Sequence, residues 1–140
     1  MKRKKIVYIY SFYRFKVITN KKKIKSDFEI LVNTKHVKGT ILLANEGING
    51  TISGSLIDLK NAIAVIKKLL NIKKISLKIN RTDFHPFNRF KIRLKKEIVT
   101  LGIKNLNTAT AQGKYLKPSQ WDQFTIDKSV RIIDVRNEYE

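Results

Sequence analysis

The segment Leu43-Ala44-Asn45-Glu46-Gly47-Ile48-Asn49-Gly50-Thr51 sets one carboxylate, Glu46, beside a run of glycine and asparagine. Gly47, Asn49 and Gly50 tolerate positive φ, so a tight hairpin turn over Glu46–Gly50 accounts for them. The turn does not account for Glu46, an acid at its mouth in a basic chain. Glu46, Gly47, Asn49 and Gly50 are therefore candidate site residues. A second constellation is Phe90-Lys91-Ile92-Arg93-Leu94-Lys95-Lys96. Period-two spacing puts Lys91, Arg93 and Lys95 on one face of a strand and Phe90, Ile92 and Leu94 on the other. That stripe, continued by Lys96, is either a solvated outer face or a surface for phosphate contacts, which set register without reading sequence. A third constellation carries rings. Tyr8, Tyr10 and Phe12 share a face of the first strand, and aromatics on an open sheet can stack bases as in RNA recognition motifs. The glycine–aromatic signature of those motifs is missing at Thr51-Ile52-Ser53, and core packing is the stronger reading.

Composition narrows the chemistry. The chain has no cysteine, which removes disulfides, thiolate metal sites and cysteine nucleophiles. Its two histidines, His36 and His85, are too few for a metal site without cysteines, and neither is assigned a catalytic role. His36 is expected at a helix C-terminus, where positive charge is favoured. An acylphosphatase reading fails, because Ser11-Phe12-Tyr13-Arg14-Phe15-Lys16 is not a phosphate-cradling glycine loop with an arginine. Lys and Arg number 30 against 11 Asp and Glu, for a net charge of +19. Such a chain is drawn to polyanions, with nucleic acid first and an anionic membrane second. Frequent Lys, Ile and Asn also fit A/T-rich codons, so part of the lysine content is compositional. The basic start Met1-Lys2-Arg3-Lys4-Lys5 precedes an aromatic, β-branched run with no small-residue cleavage site, which reads as a strand and not a signal peptide. No stretch is long enough to span a bilayer, and a cytoplasmic location is expected.

The positioning elements follow from periodicity. Residues 6–13 form strand one. Lys21–Lys25 is a charged connection, and Ser26-Asp27-Phe28-Glu29 is a capping-box pattern opening a helix to about His36. Gly39–Ala44 and Thr51–Ser53 are the hairpin strands. Ser55 opens a second helix, with Leu56, Leu59, Ile63, Ile66 and Leu70 on its buried stripe. Ile75–Ile79 is a strand with one wet face, and residues 81–88 form a loop. The order β-α-β-β-α-β is the ferredoxin-like unit, an α+β sandwich. Residues 105–117 are turn-rich, Pro118 starts a short helix, and Val130–Val135 is a buried strand of the parallel kind. The expected domains are 1–104, a ferredoxin-like domain of acylphosphatase-like topology; 105–128, a linker with a short helix; and 129–140, the start of a second domain.

The glycine segment strongly resembles the hallmark of the rhodanese-related tRNA uridine hydroxylases. Three more segments match that family in order: Pro86-Phe87 with Lys91–Val99, Gly113-Lys114-Tyr115-Leu116 with Trp121, and Asp134–Glu140. The resemblance implies a ferredoxin-like N-terminal domain joined to a rhodanese domain. It also implies oxygen-dependent hydroxylation of the wobble uridine of certain tRNAs to 5-hydroxyuridine, with molecular oxygen as co-substrate and no cofactor in this chain. The family's catalytic cysteine belongs to the rhodanese loop, beyond the last residue here, so no catalytic residue is assigned and the chain alone is expected to be inactive. Asp134 and Arg136 match the first rhodanese strand, in a structural role. The strand at Val130–Val135 would lack a sheet to join and is expected to be disordered, paired to another edge or sticky. The implied partner is the anticodon arm of tRNA, held by Lys91, Arg93, Lys95 and Lys96. Two alternatives are a stand-alone RNA-binding module without catalysis and an interaction domain whose charge is compositional.

Overall fold

The computed structural model of the chain describes residues 6–98, 113–114 and 116–133. The backbone divides into two compact units, Met1–Thr108 and Ala109–Glu140. In the first unit the order is β1 (Val7–Phe15), α1 (Lys21–Leu31), β2 (Lys38–Ala44), β3 (Gly47–Gly54), α2 (Leu56–Leu69), β4 (Ser76–Thr82) and β5 (Phe90–Leu94). The strands form one sheet in the order β4-β1-β3-β2-β5. β1 pairs antiparallel with β3 and β4, β2 pairs antiparallel with β3, and β5 lies parallel to β2. The first six elements keep the expected β-α-β-β-α-β order, and β5 extends the sheet beyond β2.

One face of the sheet carries the core. Tyr10, Phe12, Ile41, Leu43, Ile48, Ile52 and Ile92 are buried there with Phe28 of α1 and Leu59, Ile63 and Ile66 of α2. Phe28 stacks on Phe90, centroid to centroid 5.6 Å, which seats α1 over the β5 edge. Tyr8 packs at the rim of this core, with the Arg81 guanidinium 5.6 Å from its ring centroid. The three aromatics of β1 thus serve packing, as their alternation suggested.

The hairpin differs from the expected one. Its turn is Asn45-Glu46 alone, and β3 begins at Gly47 and runs to Gly54, so Gly47, Asn49 and Gly50 are strand residues. Glycine in a strand interior costs about 0.5–1 kcal/mol. Burying Ile48 and Ile52 on the same strand contributes about 1.5–3 kcal/mol each, and the ladders to β1 and β2 are kept, so strand wins over turn.

Helix α1 starts at Lys21, not Ser26, and ends at Leu31, because Val32 is extended. The supposed connection Lys21–Lys25 is helical. Asn20 at its N-cap makes no side-chain cap bond. The helix is held by burial of Phe28 and by the i,i+4 pairs Lys23–Asp27 and Lys25–Glu29, each worth about 0.3–0.5 kcal/mol. His36 consequently lies in a turn beyond the helix and not at its C-terminus. Ser55 caps α2: its Oγ accepts from the Asp58 N–H at 3.2 Å and donates to the Asp58 carboxylate at 2.6 Å.

The chain crosses from one sheet edge to the other between Thr82, opposite Val7, and Phe90, opposite Gly39. Four strand spacings make about 19 Å, and eight residue steps reach at most about 28 Å. Residues 83–89 are therefore long enough to cross that end of the sheet. Val7, which faces away from the core, is 3% exposed and lines a cleft together with His85 of this crossing. The Gly39 N–H donates to the Arg89 carbonyl at 3.0 Å where the crossing meets β2.

In the second unit, α3 (Pro118–Ile126) carries Pro118 in its first turn. It ends at Asp127, whose carboxylate accepts the Ser129 N–H at 2.8 Å and the Ser129 hydroxyl at 2.7 Å. These bonds lower the Asp127 pKa below its ordinary 3.8. Residues 130–133 are exposed and irregular, not strand. A strand needs a neighbouring strand for its backbone groups; here the Val130 N–H instead donates to the Asp127 carbonyl at 3.0 Å, a turn bond that follows the end of α3. Asp134 and Arg136 lie outside the described residues.

Candidate nucleic-acid interface

Within residues 6–98 both helices cover the core face, and the opposite face of the sheet is polar. Cross-strand partners align there in rows. One row runs Lys78 (β4), Ser11 (β1), Thr51 (β3), Thr40 (β2), Lys91 (β5). The next runs Ser76, Tyr13, Asn49, Leu42, Arg93. The Ser11 and Thr51 hydroxyls lie 3.1 Å apart and join the central strands on this face. The surface is thus a hydroxyl-rich middle with cations at both edges, about 19 Å from edge to edge.

The β5 edge concentrates the charge. Arg89, then desolvation, then Arg93 lower the Lys91 pKa from its ordinary 10.5. Three cations this close repel one another, and a phosphate between them would relieve the repulsion. Lys95 follows the strand end. Its N–H donates to the Leu43 carbonyl at 2.8 Å, and its carbonyl accepts the Lys21 ammonium at 2.6 Å. The Lys96 carbonyl accepts the Asn45 N–H at 3.4 Å. Both side chains are exposed. Alternation in Ser76–Asn80 could have placed Lys78 with this group, and the odd positions Ile9, Ser11 and Tyr13 could have placed Tyr13. The even-numbered aromatics drew attention away from both.

The glycine segment is a junction. At the Asn45-Glu46 turn, the Asn45 carbonyl accepts the Ile18 N–H at 2.8 Å and the Glu46 carbonyl accepts the Lys16 N–H at 2.9 Å. The Glu46 carboxylate accepts the Ile98 N–H at 2.6 Å. One turn therefore ties down the chain leaving β1 and the chain leaving β5. Gly47 has φ +153°, and a Cβ there would sit 2.2 Å from the Arg14 carbonyl oxygen. Gly50 makes room for the Phe12 ring, which would lie 2.8 Å from an added Cβ. Glu46, Gly47 and Gly50 thus have structural duties. Asn49 faces the polar side.

Residues 7–98 match the family described as the UPF0176 acylphosphatase like domain. The chain belongs to that family. It is 41% identical over 132 residues to the tRNA uridine(34) hydroxylase of Rickettsia akari (strain Hartford), covering 94% of this chain and 53% of the relative. It is 45% identical over 106 residues to the protein of the same name from Rickettsia bellii (strain OSU 85-389), covering 76% of this chain and 43% of the relative. The chain thus spans about half the length of the curated relatives it matches. In fold it is similar to the dark-state structure of BlrB, a BLUF protein, with a TM-score of 0.51 at 13% identity, over 65% of this chain and 74% of that one.

The acylphosphatase-like domain here has β1 where a phosphate-cradling loop would be sought. Ser11–Phe15 is paired to β3 throughout, which leaves no loop at that point. Both histidines line a cleft near the N-terminus of α2, together with Lys35, Lys38, Ser55 and Asp58. The His36 ring nitrogen is 4.0 Å from an Asp58 oxygen, but the Ser55 hydroxyl donates to Asp58 and not to histidine. That arrangement caps a helix and does not activate a nucleophile. Among the described residues no group of three His, Cys, Asp or Glu is placed to hold a metal ion, and no helix is long and apolar enough to cross a membrane.

Proposed function

We propose that the polar face of the sheet binds tRNA, and that this chain is the tRNA-binding part of an oxygen-dependent hydroxylase that forms 5-hydroxyuridine at the wobble position. The observation that carries the reading is the alignment of Lys78, Lys91 and Arg93 along the edges of the face opposite the helices. The printed names of the relatives supply the substrate class. The anticodon arm would lie across the sheet, its phosphates on the two cationic edges and its bases toward the hydroxyl-rich middle. Phosphate contacts of this kind position the RNA and carry most of the affinity. Chemistry is assigned to a rhodanese domain outside these residues, because the chain contains no cysteine. The 140-residue chain is expected to bind tRNA and not to hydroxylate it.

The test is a salt titration of tRNA affinity. Replacing Lys78, Lys91 and Arg93 together by Ala removes three candidate phosphate contacts. The slope of log affinity against log salt should flatten by about 2. A slope identical to the wild type would dismiss this face as the binding surface.

A further inference from the structure

We infer that Tyr13 and Asn49 form a subsite for one unpaired RNA nucleotide, its base stacked on the Tyr13 ring and its edge hydrogen-bonded by the Asn49 amide; this rests on the RNA-binding reading of the polar face. Asn49 is the starting point. Within the glycine segment, Glu46, Gly47 and Gly50 have structural duties, whereas the Asn49 amide makes no side-chain hydrogen bond among the described residues. It is half-buried on the polar face, directly across from Tyr13 in the ladder. Tyr13 is the second observation. Its neighbour Phe12 is 2% exposed, yet Tyr13 is 44% exposed on the opposite side of the same strand. Phe15 meets the Tyr13 ring edge to face, with centroids 6.3 Å apart. That contact steadies the ring while leaving nearly half of the residue in water. Phe15 itself stands opposite Gly47, which carries no side chain to crowd the site.

The geometry suits a nucleotide. Directly opposed residues in an antiparallel pair hold their Cβ atoms about 4.5–5.5 Å apart, so a base lying on the ring would reach the amide with its edge. An amide offers a donor beside an acceptor, the complement of the N3–H and carbonyl of an unpaired uracil. Leu42 adds an apolar contact on the far side of Asn49, and Arg93 follows in the same row to take the phosphate. A base held in a duplex could not lie on the ring, so the subsite selects single-stranded RNA.

The experiment uses the full chain, a labelled single-stranded oligouridylate and an RNA duplex of equal length. Tyr13→Leu should weaken oligouridylate binding about tenfold while leaving its salt slope and the duplex affinity unchanged. Tyr13→Phe keeps the ring and should bind as the wild type does. Asn49→Ala should lose affinity for oligouridylate and not for the duplex. A Tyr13→Trp variant in a Trp121→Phe background should be quenched by oligouridylate, which gives a readout independent of Tyr13→Leu folding. Equal oligouridylate affinity of wild type and Tyr13→Leu, or an unquenched Tyr13→Trp, overturns the subsite. Loss of all RNA binding by the wild type would instead bring down the RNA-binding reading itself.

Discussion

Lys91 holds its proton less tightly than an ordinary lysine because Arg89 and Arg93 crowd it. The sign of the consequence is definite. In the unfolded chain the cations are dispersed and the ammonium titrates near 10.5, so folding lowers the pKa. Stability tied to this group is lost as pH falls through the folded value, and the proton that arrives then is held against repulsion. A bound phosphate reverses the balance and favours the charged form. tRNA affinity should therefore fall as pH rises toward 10.5, through the range where Lys91 deprotonates in the free protein. Lys91→Arg, which does not deprotonate there, should lose less affinity than the wild type across that range. Affinity measured against pH for both proteins checks this, and parallel curves would refute it. At this scale the sequence was informative about the β5 stripe, since strict alternation survives folding. It misled at Glu46, whose carboxylate is taken by the Ile98 N–H, a partner 52 positions away that no local pattern announces.

Among the elements, the start of β3 is one of two unforgiving points, with Gly39 of β2 the other. Gly47 combines positive φ with a backbone approach that leaves no space for a methyl group. Gly47→Ala should lower the free energy of unfolding by about 2 kcal/mol or more, read from urea denaturation. Gly113→Ala, with nothing within 4 Å of an added Cβ, should leave that transition where it is. A Gly47→Ala protein as stable as the wild type would show that β1 and β3 can separate there without penalty. The same strand shows why turn chemistry misread the hairpin. Glycine marks both turns and close packing, and only the partner strands distinguish them. Helix α2 was legible because capping and periodicity agree at Ser55 and Leu59. Helix α1 was not, because Ser26 offers a capping pattern in mid-helix while the actual N-cap, Asn20, makes no side-chain bond.

For the whole molecule, a net charge of +19 acts on stability and on binding in opposite directions. Salt screens self-repulsion and also competes with phosphate. Raising ionic strength from about 0.01 to 0.15 M shortens the screening length from about 30 to 8 Å. The melting temperature of the free chain should rise over that interval while tRNA affinity falls. A melting temperature indifferent to salt would mean that the charge is too dispersed to strain the fold. The β-α-β-β-α-β order could be read in advance because each element has its own period. The fifth strand's place beyond β2 could not, because it depends on a crossing that only the finished sheet defines. The interior position of β1, between β4 and β3, also has a consequence in time. Its partners in the ladder, such as Gly54 for Tyr8 and Thr82 for Val7, are made later. At about 5–20 residues per second, β1 leaves the ribosome seconds before the strands that will cover it. Val7–Phe15 is aromatic and β-prone, the kind of segment that pairs with copies of itself. It emerges between Met1-Lys2-Arg3-Lys4-Lys5 and Lys16, so the nascent strand is guarded by like charge until its own partners arrive.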